Sequence, residues 1–199
     1  PIGLEDPNAV IRQHRASAKT GLDERAPDFR SSLSIKDLIT NVLFDLDDSG
    51  TQWARGRTFR AAFDAGSFSM FPVFGIQSPK EYPVRFSLGG ATIGGESLAL
   101  EATGVERSGN VVTLGHGALD EVYQVDLDQV EQTFVIPSLP AAGELSLRID
   151  VESDLVGHES GDTLYFLHPE FGHIAYGSAF VLDSAGKREP IERRWSGSS

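Results

Sequence analysis

Residues 144 to 152 read Glu-Leu-Ser-Leu-Arg-Ile-Asp-Val-Glu, an unbroken alternation of polar and apolar side chains. Successive side chains on a β-strand point to opposite faces. This stretch therefore predicts a strand with Leu145, Leu147, Ile149 and Val151 on a dry face and Glu144, Ser146, Arg148, Asp150 and Glu152 on a wet one. We expect the apolar four to lie inward on a central strand, where a Leu147→Ala cavity costs about 2 to 5 kcal/mol. The runs before it, Asp120 to Leu127 and Val130 to Ile136, have strand composition as well. The loop Pro137 to Gly143 separates the second of these from the 144–152 run, so the neighbours read as antiparallel strands joined by a loop. Val122, Val125, Phe134 and Ile136 are expected inward on strands beside it, with a bulge if Val122 and Val125 both face the core.

Turn signals punctuate the remainder. Most of the 21 glycines sit at breaks such as Ala65-Gly66, Gly89-Gly90, Gly94-Gly95 and Ser108-Gly109-Asn110. Between them lie short runs expected as strands: Thr51 to Asp64, Ser67 to Gly75, Tyr82 to Leu88, Glu96 to Ala102 and Asn110 to Leu114. Later runs are Thr163 to Leu167, His173 to Tyr176, Ala179 to Leu182 and Glu189 to Arg194, with Ser184 to Lys187 as the last hairpin turn. Pro72 cannot donate to a ladder and marks an edge or a strand end. Short strands at this spacing indicate an all-β, mainly antiparallel fold of the sandwich or jelly-roll kind. One helix is expected, over Ser34 to Asp45, where Ile35, Leu38, Ile39, Val42 and Leu43 follow the helical period; Val42 to Leu46 also reads as a strand. Residues 1–33 read as an irregular extension, with room for a short helix over Asn8 to Thr20. Residues 34–195 read as one sandwich domain, and 196–199 as a linker or a cut end between domains.

Composition narrows the function. Hydrophobic residues make up 40% of the 199, enough for a core. The net charge of −12 argues against a nucleic-acid backbone or an anionic membrane as partner. Cysteine is absent, which excludes a disulfide framework, a Cys-ligated zinc and a thiol nucleophile. No apolar run approaches the roughly 20 residues of a membrane-spanning helix. Pro1 is no initiator, so any export signal is expected outside these residues.

From Trp53 onward the order of motifs carries a resemblance. Trp53-Ala54-Arg55-Gly56, Phe59-Arg60-Ala61-Ala62-Phe63, Phe71-Pro72-Val73-Phe74-Gly75 and Tyr82-Pro83-Val84 come first. Glu131 to Val135, Gly143 to Arg148, Gly172 to Gly177 and Asp183 to Arg188 follow. This order resembles the β-rich domain at the N-terminal side of large secreted bacterial proteins that carry β-propeller-type (SBBP-like) repeats. The resemblance implies an extracytoplasmic module of a larger chain. It brings no activity and no functional residue.

Several constellations bear on chemistry. Asp45, Asp47 and Ser49, followed by Gly50, open like a Ca²⁺ loop, with oxygens at alternate positions and a glycine at the sharp turn. The ninth and twelfth positions are Trp53 and Gly56, which departs from an EF-hand; a solvated acidic turn is the plainer account. His158, Glu159, Asp162, His168 and His173 lack ligand spacing and read as surface histidines. We expect no tightly bound transition metal. Gly115-His116-Gly117 offers a histidine without a Ser nucleophile motif to partner it. Acidic residues are plentiful, but nothing locates a glycosidase pair. Trp53, Phe59, Phe63, Phe68, Phe71 and Phe74 could stack on sugars; period-2 aromatics more often fill a core. Trp195 could plug a sandwich end or dock a neighbouring domain. Trp53 and Trp195 are thus the candidate ligand-binding residues.

Two functions follow from this reading. One is a non-catalytic structural, adhesion or interaction module of a secreted or cell-surface protein, contacting neighbouring domains, a surface protein or a glycan. The alternative is a carbohydrate-binding module or a β-sandwich glycoside-active enzyme. No cofactor is expected beyond possible Ca²⁺.

Overall fold

The computed structural model describes residues 3–4 and 10–19 by their backbone and residues 41–197 with side chains. Within these residues every regular element is a β-strand. The first sheet runs β1 (Gly3–Leu4), β13 (Gly143–Ser153), β7 (Val84–Ile93), β6 (Ser67–Pro72), β5 (Phe59–Asp64), β4 (Gln52–Arg55) and β3 (Leu43–Leu46), with β8 (Glu96–Ser97) attached to β7. The second runs β14 (Val156–Ser160), β15 (Thr163–His168), β16 (Gly172–Tyr176), β2 (Val10–Lys19), β12 (Val130–Val135), β11 (Asp120–Val125), β10 (Val111–Gly117) and β9 (Leu100–Ser108). β17 (Ala179–Leu182) pairs with β2 and carries β18 (Arg188–Pro190). The ladders are antiparallel.

Hairpins form where the turn residues demand them. Asp64 pairs with Ser67 around Ala65-Gly66, and Ser108 with Val111 around Gly109-Asn110. Ile93 pairs with Glu96 around Gly94-Gly95, both at positive φ (59° and 86°), where a side chain is disfavoured.

The sheets meet face to face through aromatics. Tyr123 of β11 packs against Phe68 of β6 at 4.6 Å and Phe63 of β5 at 5.2 Å. Phe86 of β7 stacks on Tyr176 of β16 at 5.1 Å. All five are buried. A second cluster, of Ala91, Ile93, Leu119, Phe134, Ile136 and Val181, fills another part of the interior.

The alternation read from the sequence is kept, and four of its consequences are corrected. First, β12 and β13 belong to different sheets: the loop between them crosses the sandwich, and β13 pairs with β7. Second, β13 is not central. Among the described residues it pairs with β7 on one side, and on the other with β1 at Gly143 and Glu144 only. Its four apolar residues face inward yet stay half-buried. Third, β11 holds Glu121, Tyr123 and Val125 inward in strict alternation; Val122 faces the other way, so no bulge is needed. Fourth, Gly89-Gly90 is not a turn. β7 runs through it, with one extra residue opposite Arg148 and Ile149. That bulge resets the phase, so Phe86 and Leu88 before it and Ala91 and Ile93 after it share the inner side.

Residues 10–19, read as part of an extension with room for a helix, form β2 inside the second sheet, hydrogen-bonded on both sides. Ladders on both flanks override a weak local pattern. Residues 20–40 lie outside the described set, and most of the helix expected over Ser34 to Asp45 falls there; its described end is β3.

Candidate functional site

A cleft of about 480 Å³ opens between the two sheets where β13 faces the C-terminal segment. One wall is the apolar side of β13: Leu145, Leu147, Ile149 and Val151. The other is Ala179 and Val181 of β17, then Pro190, Ile191 and Trp195. The segment after β18 is held against the second sheet by named bonds. The Ile191 amide donates to Ala179 O at 3.3 Å, and Arg193 Nη1 donates to Tyr176 O at 3.0 Å and Gly177 O at 2.8 Å. Trp195 sits edge-on to Phe166, with ring centres 5.8 Å apart. Glycine at 157 makes room for the indole: a Cβ there would come within 2.7 Å of it. Among the described residues, Arg193 Nε is buried and has no hydrogen-bond acceptor.

Behind the cleft lies a buried polar chain. Tyr176, which lines the cleft, donates its hydroxyl to Gln132 Oε1 at 2.7 Å. Gln132 Nε2 donates to Glu121 Oε1 and to the Tyr123 hydroxyl, the latter at 3.0 Å. The Tyr123 hydroxyl donates to Glu121 Oε1. His116 Nε2 meets Glu121 Oε2 at 2.9 Å. Burial raises the hydroxyl pKa values of Tyr123 and Tyr176 well above the ordinary range, and the Glu121 carboxyl adds to both shifts. These tyrosines stay protonated as donors. Glu121 is 1% exposed, so its carboxyl is sealed from any substrate and serves to satisfy its neighbours. The carboxylates at the cleft are Glu144 and Glu192, both exposed, and Glu192 accepts from Arg194 Nε at 2.8 Å. No pair of enclosed carboxyls faces the cleft among the described residues.

The sequence candidates separate. Trp195 lines the cleft. Trp53 lies on the outer face of the first sheet, half-buried, over its cross-strand partner Ala62. Its ring is 5.4 Å from Phe71 and tilted by 40°, and the Arg60 guanidinium lies 5.4 Å from one ring centre and 5.3 Å from the other. Phe59, Phe63 and Phe68 are core, so the aromatic run divides between two faces.

Asp47 organises a turn. Its Oδ1 accepts from the Ser49 amide (2.9 Å), the Ser49 hydroxyl (2.6 Å) and the Thr51 amide (3.0 Å), and its Oδ2 from Trp53 Nε1 (2.8 Å). Asp45 Oδ1 accepts from the Leu46 amide at 2.9 Å. The oxygens of Asp47 that a Ca²⁺ loop would aim at a cation are thus engaged by the chain itself. The histidines are on strands: His168 stacks on Phe171 at 4.3 Å, and His173 meets Tyr165 edge-on at 5.3 Å. Among the described residues no group of three or more His, Asp or Glu gathers as a metal site.

Sequence reasoning missed Arg193 and the buried chain. A signal for the chain was present: Glu121 and Gln132 occupy the inward phase of β11 and β12 beside Tyr123, Val130 and Phe134. A polar residue in an apolar phase marks a buried network. For Arg193 there was none, because its segment has no period. No protein-family model matches the chain, no curated protein does, and no solved structure does.

Proposed function

We propose that this chain is a non-catalytic interaction module of a larger secreted or cell-surface protein, and that it engages its partner at the cleft between β13 and the 190–195 segment. One observation carries this reading. Four aliphatic side chains of β13 point toward the core and remain half-buried, leaving an apolar wall unfilled. Apolar clefts of several hundred Å³ with a few polar groups are where ligands bind. The sealing of Glu121 and the exposure of Glu144 and Glu192 support binding over catalysis. The secreted setting comes from the resemblance of residues 51–195 to domains of large bacterial secreted proteins. The carbohydrate reading has less behind it: Trp53 and Phe71 are tilted, and Arg60 lies close to both rings.

An apolar anionic dye such as anilinonaphthalene sulfonate tests the cleft. In a Trp53→Phe background it should bind at saturable one-to-one stoichiometry and quench Trp195. Leu147→Glu, on the cleft wall, should abolish this. Absence of saturable binding, or hydrolysis of a glycan or peptide library by the purified protein, overturns the reading.

A further inference from the structure

We propose that the partner is an extended peptide that adds to the first sheet as an antiparallel strand along β13, with apolar residues alternating with basic ones. This rests on the cleft being the binding site. Among the described residues, the backbone of β13 from Leu145 to Ser153 has a ladder partner on the β7 side only. A strand rises about 3.3 Å per residue, so this edge is long, and a long unpaired edge is a template for another strand.

Three observations define what fits. The first is continuity: β1 already docks on this edge, antiparallel, with Gly3 opposite Glu144 and Leu4 opposite Gly143. Beyond the two positions that this register gives to the residues before Gly3, the edge runs from Leu147 to Ser153. The second is the cleft. Alternate side chains of such a strand enter it beside Leu147, Ile149 and Val151. The third is charge. The outward row of β13 carries Glu144, Asp150 and Glu152 against Arg148, whose guanidinium lies 3.7 Å from Asp150 and donates to Gly89 O at 2.5 Å. Arg85 stands opposite Glu152, which leaves the row acidic on balance, and the whole chain carries −12. Outward positions of the incoming strand therefore favour Lys or Arg.

The probe is an acetylated, amidated eight-residue peptide alternating Val and Lys, titrated calorimetrically and by Trp195 emission in the Trp53→Phe protein. Two variants carry backbone N-methyl groups on every Val or on every Lys. Alternate amides of a strand face the same neighbour, so only one variant loses the bonds to β13. We expect the parent to bind, one N-methyl variant to weaken by at least about tenfold, and the other to stay within about threefold. Equal binding by all three, or equal loss in both variants, overturns strand addition. A Val–Glu peptide that binds as well as Val–Lys overturns the charge assignment. Sedimentation of the free protein as a dimer that the peptide leaves intact assigns the edge to a second copy and overturns the proposal. If the dye saturates the cleft and no peptide binds, this inference fails while the cleft reading stands; if neither binds, both fail.

Discussion

Asp47 shows how much one side chain organises. Four donors converge on its two oxygens, and with the Ser49 hydroxyl as the largest cause and the Trp53 indole next, its pKa falls from the ordinary 3.8 to about 2. A carboxyl with a lowered folded pKa stabilises the fold above the unfolded value, and that contribution is lost as pH falls through the folded one. Titrating Trp53 emission in a Trp195→Phe protein should therefore give a midpoint near pH 2, and Ser49→Ala should move it upward toward 3.8. A midpoint that Ser49→Ala leaves unchanged would contradict this account. Glu121 is the buried counterpart. Replacing it with Ala strands His116, Tyr123 and Gln132 without their shared acceptor. Removing one partner of a buried polar network costs about 3 to 5 kcal/mol, and denaturant unfolding of Glu121→Ala should show a loss of that size.

Among the elements, β13 forms one wall of the cleft and was the most informative stretch of sequence. Its start is locked by a backbone contact: Gly143, at φ +145°, lies so near Gly94 that a Cβ would come within 2.5 Å of the Gly94 Cα. Its middle is aligned by the bulge at Gly89. An enclosed leucine loses about 2 to 5 kcal/mol on truncation to alanine. Leu147 is only half-buried and opens onto the cleft, so the transfer term dominates and Leu147→Ala should cost about 1 to 2 kcal/mol. Arg148→Ala, on the exposed side, should stay within about 0.5 kcal/mol. Paired denaturant melts check the order; a greater loss at Arg148 would put the strand in the opposite register.

Across the whole molecule, aromatic contacts bridge the two sheets. Phe68 touches Phe63 at 5.2 Å and Phe86 at 5.8 Å within its own sheet, and Tyr123 at 4.6 Å in the other. Phe68→Ala should cost about 3 to 5 kcal/mol and lower the stability of both sheets together. Amide hydrogen exchange provides the check: protection should fall in β5–β7 and in β10–β12 alike. A loss confined to the first sheet would show that the two sheets unfold separately.

The period-2 runs and the glycine-bearing turns were sufficient for an antiparallel all-β chain, because side-chain alternation and positive-φ turns are decided within a few residues. Ala65-Gly66, Gly94-Gly95, Gly109-Asn110 and Ala185-Gly186 all stand at hairpin ends, and Phe134 and Ile136 are buried as their phase predicts. Which strand lies beside which was decided only by the tertiary structure. Alternation states that Leu145 to Val151 face an apolar side; it does not say that β7, 50 residues and more away along the chain, is the partner. The same holds for Gly89-Gly90, whose composition fits a turn and a bulge equally until β13 is laid against it. The buried chain from His116 to Tyr176 and the meeting of Arg193 and Trp195 with β13 depend on contacts between distant segments. Each segment contributes one or two side chains whose role has no meaning until the sheets have closed.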